Sequence, residues 1–264
     1  MRLTLLLLIT ARFLTAQPEV TSWAILKQGI DDRNYERRRQ AVTAIGSIGL
    51  DADAVKLVEH GLRDDEPLVR QTAAAQLGQL KSTASIPALK AALDDPTNEV
   101  ALTAARSLWD MGDRSGEEML QNVLSGKQKS TSGFVEGALR DTKHKLGSKK
   151  GLVKLGIKEA SSAILGPFSL GITAAEEMMK DSGATGRALA ADLLSQKCDS
   201  RNIELLQGAL RDEKNNTVKA SVAKSLARCG KKDDIPRYES YLSSSNDALK
   251  FMAAAAIIKL SLMP

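Results

Sequence analysis

A column of large aliphatic residues returns every 31 or 32 positions along this chain: Leu77 follows Ile45 by 32 residues, and Leu108 follows Leu77 by 31. The column resumes at Leu194, Leu226 and Ile257, again 32 and 31 apart. Small residues keep the same register just before it, at Ala41/Val42, Ala73/Ala74, Ala104/Ala105, Ala190/Ala191, Val222/Ala223 and Ala253/Ala254. Self-similarity at a short fixed period constrains the fold more than any other feature here. A unit too small to bury its own apolar face must bury it against a copy of itself, and the result is a stack.

The unit is helical. In LVRQTAAAQLGQL, residues 68–80, the residues Val69, Ala73, Leu77 and Leu80 fall on one stripe of a helix, here termed helix A. A shorter helix B follows in DADAVKLVEHGL, SIPALKAAL, EEMLQNVL, NIELLQGAL and IPRYESYL, closing on Leu62, Leu93, Leu124, Leu210 and Leu242. Pro87 and Pro236 stand near the starts of two B helices, where a missing amide donor costs nothing. Gly49, Gly112 and Gly230 follow A helices and are expected to cap them. The chain is 43% hydrophobic but only 3% aromatic, so Ala, Leu, Val and Ile must fill the core, which suits close-packed helices better than strands.

The stretches DDEPLVRQTAAAQLGQL, DDPTNEVALTAARSL and RDEKNNTVKASVAKSLARCG resemble HEAT repeats, and more closely the short HEAT-like repeats of the phycocyanobilin lyase group. The expected fold is therefore an all-α solenoid, a superhelix of HEAT-like hairpins with a divergent central insert. The resemblance implies a ladder between neighbouring repeats, pairing Asp64 and Asp212 with Arg70 and Lys219, and a break at Ala101, which departs from the pattern. It also implies that the B helices line a concave side where a partner binds.

Four segments follow. Residues 1–16, MRLTLLLLITARFLTA, place Arg2 before an apolar run and end on a small residue, the layout of a signal peptide cut after Ala16; a periplasmic or secreted chain is expected. Residues 17–125 hold the first repeats, 126–180 the insert and 181–264 the second repeats. Between Lys127 and Lys158 the insert carries nine Lys or Arg against Glu136 and Asp141, so the charge is concentrated there although the whole chain is only +5. Its Lys143, Lys145, Lys149, Lys150 and Lys154 form a candidate anionic-surface site, for a membrane or other polyanion.

Catalytic signatures are missing. The two histidines, His60 and His144, have no His, Cys or carboxylate at a metal-binding spacing, and no phosphate-cradling or nucleophile motif occurs. No catalytic residue, metal or cofactor is assigned. Nucleic acid is not an expected partner, because Phe134 is the only aromatic among the basic residues. The expectation is an exported scaffold without chemistry that binds a protein partner through helix B. Its candidate site comprises Glu59, His60, Lys90, Gln121, Asn122, Gln207 and Glu239, extended by Lys56 and Arg237, with Tyr238 and Tyr241 as aromatic anchors. Two alternatives stay open: a bilin-lyase-like enzyme or chaperone, which the family implies although bilin attachment is cytoplasmic, and an adaptor docking anionic membrane through the insert. Cys198 and Cys229 fall at nearly the same phase of successive A helices, which stand about 8–10 Å apart, beyond the reach of a disulfide, so two free thiols are expected.

Overall fold

The computed structural model describes residues 17–125, 181 and 183–263. Twelve α-helices and no strand occur among them, as the repeat pattern requires. In the first block they are α1 (Pro18–Ile30), α2 (Tyr35–Gly46), α3 (Ala52–Gly61), α4 (Pro67–Leu80), α5 (Ile86–Ala91), α6 (Asn98–Asp110) and α7 (Glu117–Leu124). The second block holds α8 (Ala184–Leu194), α9 (Ser200–Asp212), α10 (Asn216–Cys229), α11 (Pro236–Glu239) and α12 (Asp247–Ser261).

Local signals set the helix ends. Asn34, Asp51, Asp199, Asn215 and Asn246 each accept a backbone N–H of the first turn, and Pro18, Pro67, Pro87 and Pro236 enter where no donor is needed. Past the A helices, Gly49 and Gly112 take the positive φ expected of caps, with φ of 124° and 84°. Gly230 does not: its φ is −77°, and its smallness serves packing, since a β-carbon there would stand 2.8 Å from Leu260.

The A helices do not stack in chain order. α12 lies along α10 on one side and along α1 and α2 on the other, so the spatial series is α8, α10, α12, α2, α4, α6. The second block thus precedes the first in one continuous array. Each A helix has a B helix, and that of α12 is α1, at the opposite end of the chain. The register proves the equivalence. Gly61 of α3 sits between Val42 and Ala73, and Gly29 of α1, 32 residues earlier, sits likewise between Phe251 and Ala41. One hairpin of the array is therefore assembled from both chain ends.

Polar contacts close this seam. Arg37 donates to Asp247 at 2.8 Å and pairs with Asp32 at 3.3 Å, while the Lys259 ammonium donates to the carbonyls of Ser47 and Ile48 at 3.2 and 3.4 Å, the C-terminal end of α2. A cation is favoured there by the helix dipole.

The ladder exists, with different partners from those expected. Arg38 grips Asp64 of the next repeat through two bonds of 2.6 and 2.7 Å, and Arg70 grips Asp95 at 2.7 and 3.0 Å. Each arginine also donates to a backbone carbonyl six residues earlier, Asp32 and Asp64 respectively. Asp64 is thus held by the preceding arginine, and Arg70 reaches forward. In the second block Glu213, not Asp212, takes the position and receives Arg187 at 2.7 Å, whereas Lys219 lies over the Tyr241 ring. Ala101 occupies the arginine position of α6 and supplies no guanidinium.

The cysteines form a disulfide, against expectation, with 5.3 Å between their α-carbons. The expectation placed Cys198 inside helix A. In fact α8 ends at Leu194 and Cys198 lies in the turn beyond it, where the chain folds back onto the C-terminal residue of α10, Cys229. Irregular backbone escapes the spacing between helix axes.

Candidate functional site

Contacts between A helices define one layer of the array. α4 meets α6 through Gln71, Ala74 and Gly78, and the matching side of α6 presents Thr103 and Ser107. Transferred to equivalent positions at 100° per residue, the two sets stand roughly 150° apart on the side away from helix B. The A helices pack on one another in one layer, whose side away from helix B is here called the inner face, and the B helices form the outer layer.

The residues singled out on helix B accordingly lie on the outer layer. Lys56, His60, Lys90, Gln121, Arg237 and Glu239 are exposed, while Glu59, Asn122 and Gln207 are half-buried. Most engage neighbours: Lys90 pairs with Asp113 at 2.9 Å, Arg237 with Asp234 at 2.9 Å, Gln121 donates to Glu117 at 3.3 Å, and His60 lies 3.9 Å from Asp31. Ser115, then Lys90, holds the Asp113 carboxyl down to about 2. The structure does not bring these residues into one cluster, because they sit on five different helices or their ends. Tyr238 is no surface anchor, being fully buried, and Tyr241 donates its hydroxyl to the Leu210 carbonyl at 3.0 Å. Lys143, Lys145, Lys149, Lys150 and Lys154 fall outside the described residues.

The inner face carries what the sequence reading missed. On α2, Glu36, Arg39, Gln40 and Thr43 are all buried, although all four types are ordinarily surface residues. Arg39 donates to both Glu36 oxygens at 3.1 and 3.2 Å, and Gln40 Nε2 donates to Glu36 at 3.2 Å. The Gln40 carbonyl oxygen has no hydrogen-bond partner among the described residues, an uncommon condition for a buried acceptor. Further along the array, Lys224 and Arg228 of α10 and Lys259 of α12 occupy the same inner side. Burial, reinforced by Arg228, pushes the Lys224 ammonium down to about 8. A signal for the first cluster was present: ERRRQ puts its polar residues where helix A turns away from helix B.

Among the described residues no group of three or more His, Cys, Asp or Glu side chains is placed to hold a metal ion. Nor is any of their helices long and apolar enough to cross a membrane.

A search of curated proteins finds deoxyhypusine hydroxylase of Neurospora crassa, 40% identical over 79 residues, which are 29% of this chain and 24% of that enzyme. The chain thus matches about a quarter of the relative's length. Among solved structures, human deoxyhypusine hydroxylase in complex with glycerol is similar at 17% identity with a TM-score of 0.34, over 92% of this chain and 97% of that one. The sequence likeness to an enzyme overturns the expectation of a scaffold without chemistry of its own: the absence of a familiar catalytic motif was too weak a ground for it. The HEAT repeats family matches residues 24–109. Among the described residues the twelve helices in one array form an all-α solenoid, and its likeness to HEAT repeats covers the matched part, about a third of the chain.

Proposed function

We propose that this chain serves a hydroxylation of the deoxyhypusine type, and that the inner face of its A helices receives the substrate. The carrying observation is the 40% identity to deoxyhypusine hydroxylase over 79 residues. The buried group on α2 supports the choice of face, since Glu36 offers a carboxylate and Gln40 an open acceptor to a substrate's amine or amide donor. Hydroxylation also needs an oxidant, dioxygen together with a two-electron donor, both supplied in the assay: one oxygen atom enters a C–H bond and the other leaves as water. Glu36 and Gln40 are assigned substrate binding. The test is to incubate the full chain with a protein bearing deoxyhypusine and look for the gain of one oxygen atom by mass spectrometry, in parallel with Glu36→Gln. Oxygen gain that falls at least tenfold in the variant supports the reading; no gain, or gain indifferent to the variant, overturns it. The 31- and 32-residue spacing leads us to assign the repeats to the short type of the phycocyanobilin lyase group.

We propose further that the chain works in an oxidising compartment. The Cys198–Cys229 disulfide supports this, as such bonds persist mainly outside the reducing cytosol, and residues 1–16 have the layout of a signal peptide. Fractionation of cells expressing the full chain should recover a protein whose first residue is Gln17 outside the cytosol; an uncut chain in the cytosol would refute it.

A further inference from the structure

The A helices run parallel through the array, since the same pair of positions meets at each step: Gly46 lies against Gln76, and Gly78 against Ser107. Every turn from helix A to helix B therefore lies on one edge. Val20, Leu50 and Leu262, exposed by 60, 67 and 50%, stand at the middle of that edge. Leu50 follows α2 and Leu262 follows α12 at equivalent positions, five residues past Ile45 and Ile257. The two turns adjoin, because the Lys259 ammonium reaches the carbonyls of Ser47 and Ile48 at 3.2 and 3.4 Å. Val20 lies in the first turn of α1, the B helix of α12, 32 residues before Ala52 at the start of α3. Single apolar residues scattered over a surface need no explanation, but three of the six large ones exposed among the described residues share this one place.

Basic side chains bracket the apolar stretch. Lys231 and Lys232 follow α10 on one side of it and Lys81 ends α4 on the other, all three exposed. Beyond Lys81, at the end of α6, the Arg114 guanidinium lies 3.5 Å from the centre of the exposed Trp109 ring. Several carboxylates of the edge are engaged: Asp51 accepts the N–H groups of Asp53 and Ala54, Asp113 pairs with Lys90, and Asp234 with Arg237. Glu19 and Asp233 offset part of the positive charge, so apolar contact must carry most of any attachment. A row of this kind suits a lipid surface. Its apolar side chains can enter the acyl boundary, lysine stems follow them while the ammoniums stay among the headgroups, and tryptophan favours the interfacial level. A protein partner needs a continuous patch, whereas these side chains stand on separate turns about 8–10 Å apart, which a deformable surface accepts. Residues 1–16, with the apolar run of a signal peptide, join the described chain at Gln17, one residue before α1 begins on this edge. We infer that this edge docks on an anionic bilayer, with Val20, Leu50 and Leu262 inserted and Lys81, Lys231 and Lys232 among the headgroups. The docking uses neither Glu36 and Gln40 nor the lysines of the insert, and it does not rest on the hydroxylation proposed above.

Vesicles of phosphatidylcholine mixed with phosphatidylglycerol are the probe, added to the full chain and followed by co-sedimentation and by hydrogen exchange. The wild type should sediment with them, less so as salt is raised, and exchange should slow in the turns after α2 and α12 and in the first turn of α1. Leu50→Asp combined with Leu262→Asp should weaken the partition at least tenfold and abolish that local slowing, while keeping the wild-type circular dichroism and melting curve. Leu205→Asp, which removes a side chain 53% exposed on α9, should behave as the wild type does. A wild type that ignores the vesicles would overturn the docking, and self-association without vesicle binding would assign the edge to a second copy instead. Partition and exchange unchanged in the double variant, as docking through the insert would give, would overturn it equally.

Discussion

The seam between the chain ends makes a sharp prediction. Phe251 is 95% buried, and its ring lies against Gly29 so closely that a β-carbon on that glycine would stand 2.8 Å from two ring carbons. Phe251→Ala removes the ring and leaves a void. Phe→Ala substitutions in cores cost about 3–5 kcal/mol, more where the surroundings cannot collapse. Gly29 has no side chain to move in and Ala41 has only a methyl group, so the cost should lie near the middle of that range or above, about 4 kcal/mol. Urea unfolding measures the total, and hydrogen exchange read by mass spectrometry locates it. Because α1 serves as the B helix of α12, its amides should lose protection although it lies at the other end of the chain. Refutation would take either of two forms. α1 might keep wild-type protection while α10 and α12 loosen, or the wild type might unfold in two separate steps of which the variant shifts only one.

Serine at both Cys198 and Cys229 should cost about 3–4 kcal/mol, from the loop entropy of a 31-residue separation, with protection lost chiefly in α8 and α9; titration of the unreduced, denatured wild type should find no free thiol. Arg70→Leu strands the nearly buried Asp95 carboxylate and should cost about 2–3 kcal/mol in urea, whereas Arg106→Leu, whose pair with Asp110 is exposed, should stay within about 0.5 kcal/mol. Asp95 has its carboxyl held below the usual range, chiefly by Arg70 against the opposing effect of burial. Its contribution is present above the ordinary carboxylate pKa and lost as pH falls through the folded value, so the acid limb of the Arg70→Leu stability curve should be flatter. For Lys224 the slope has the same sign but another origin, a penalty on the buried charged form that rising pH relieves. Folding lowers its pKa to about 8 from 10.5, so between these values the unfolded chain holds more protons and stability rises with pH. Lys224→Met should remove that rise, so its stability curve should be flatter than that of the wild type between pH 8 and 10.5.

The all-α stack could be read from residues because its cause is local and repeated. Ile45, Leu77 and Leu108 recur at the spacing of one hairpin, and each must be buried for its unit to persist. Helix ends were legible at Pro87, Pro236, Gly49 and Gly112 for the same reason, since such a signal acts within a few residues of its own helix. The sixth B helix was legible but overlooked. Gly29, Ile30 and Asp32 repeat Gly61, Leu62 and Asp64 at a distance of 32, but α1 precedes every A helix in the chain and has none before it to follow.

Other features depend on which surfaces meet, and spacing along one chain carries no such information. Nothing in the order of residues places α12 beside α2. That neighbourhood arises because the open end of each block can bury its apolar face against the other, and it alone creates the contacts of Arg37 with Asp247 and of Lys259 with the end of α2. The packing of A helix on A helix likewise involves several helices at once, and it leaves Glu36, Arg39 and Gln40 buried while His60 and Lys56 stay exposed. Cys198 shows the limit most plainly, because a turn of five residues between α8 and α9 carries it to Cys229 across a gap that helix spacing would have kept open. Periodicity is a property of the chain and determines what each unit is; the meeting of units is a property of the folded surface and determines where the charges end up.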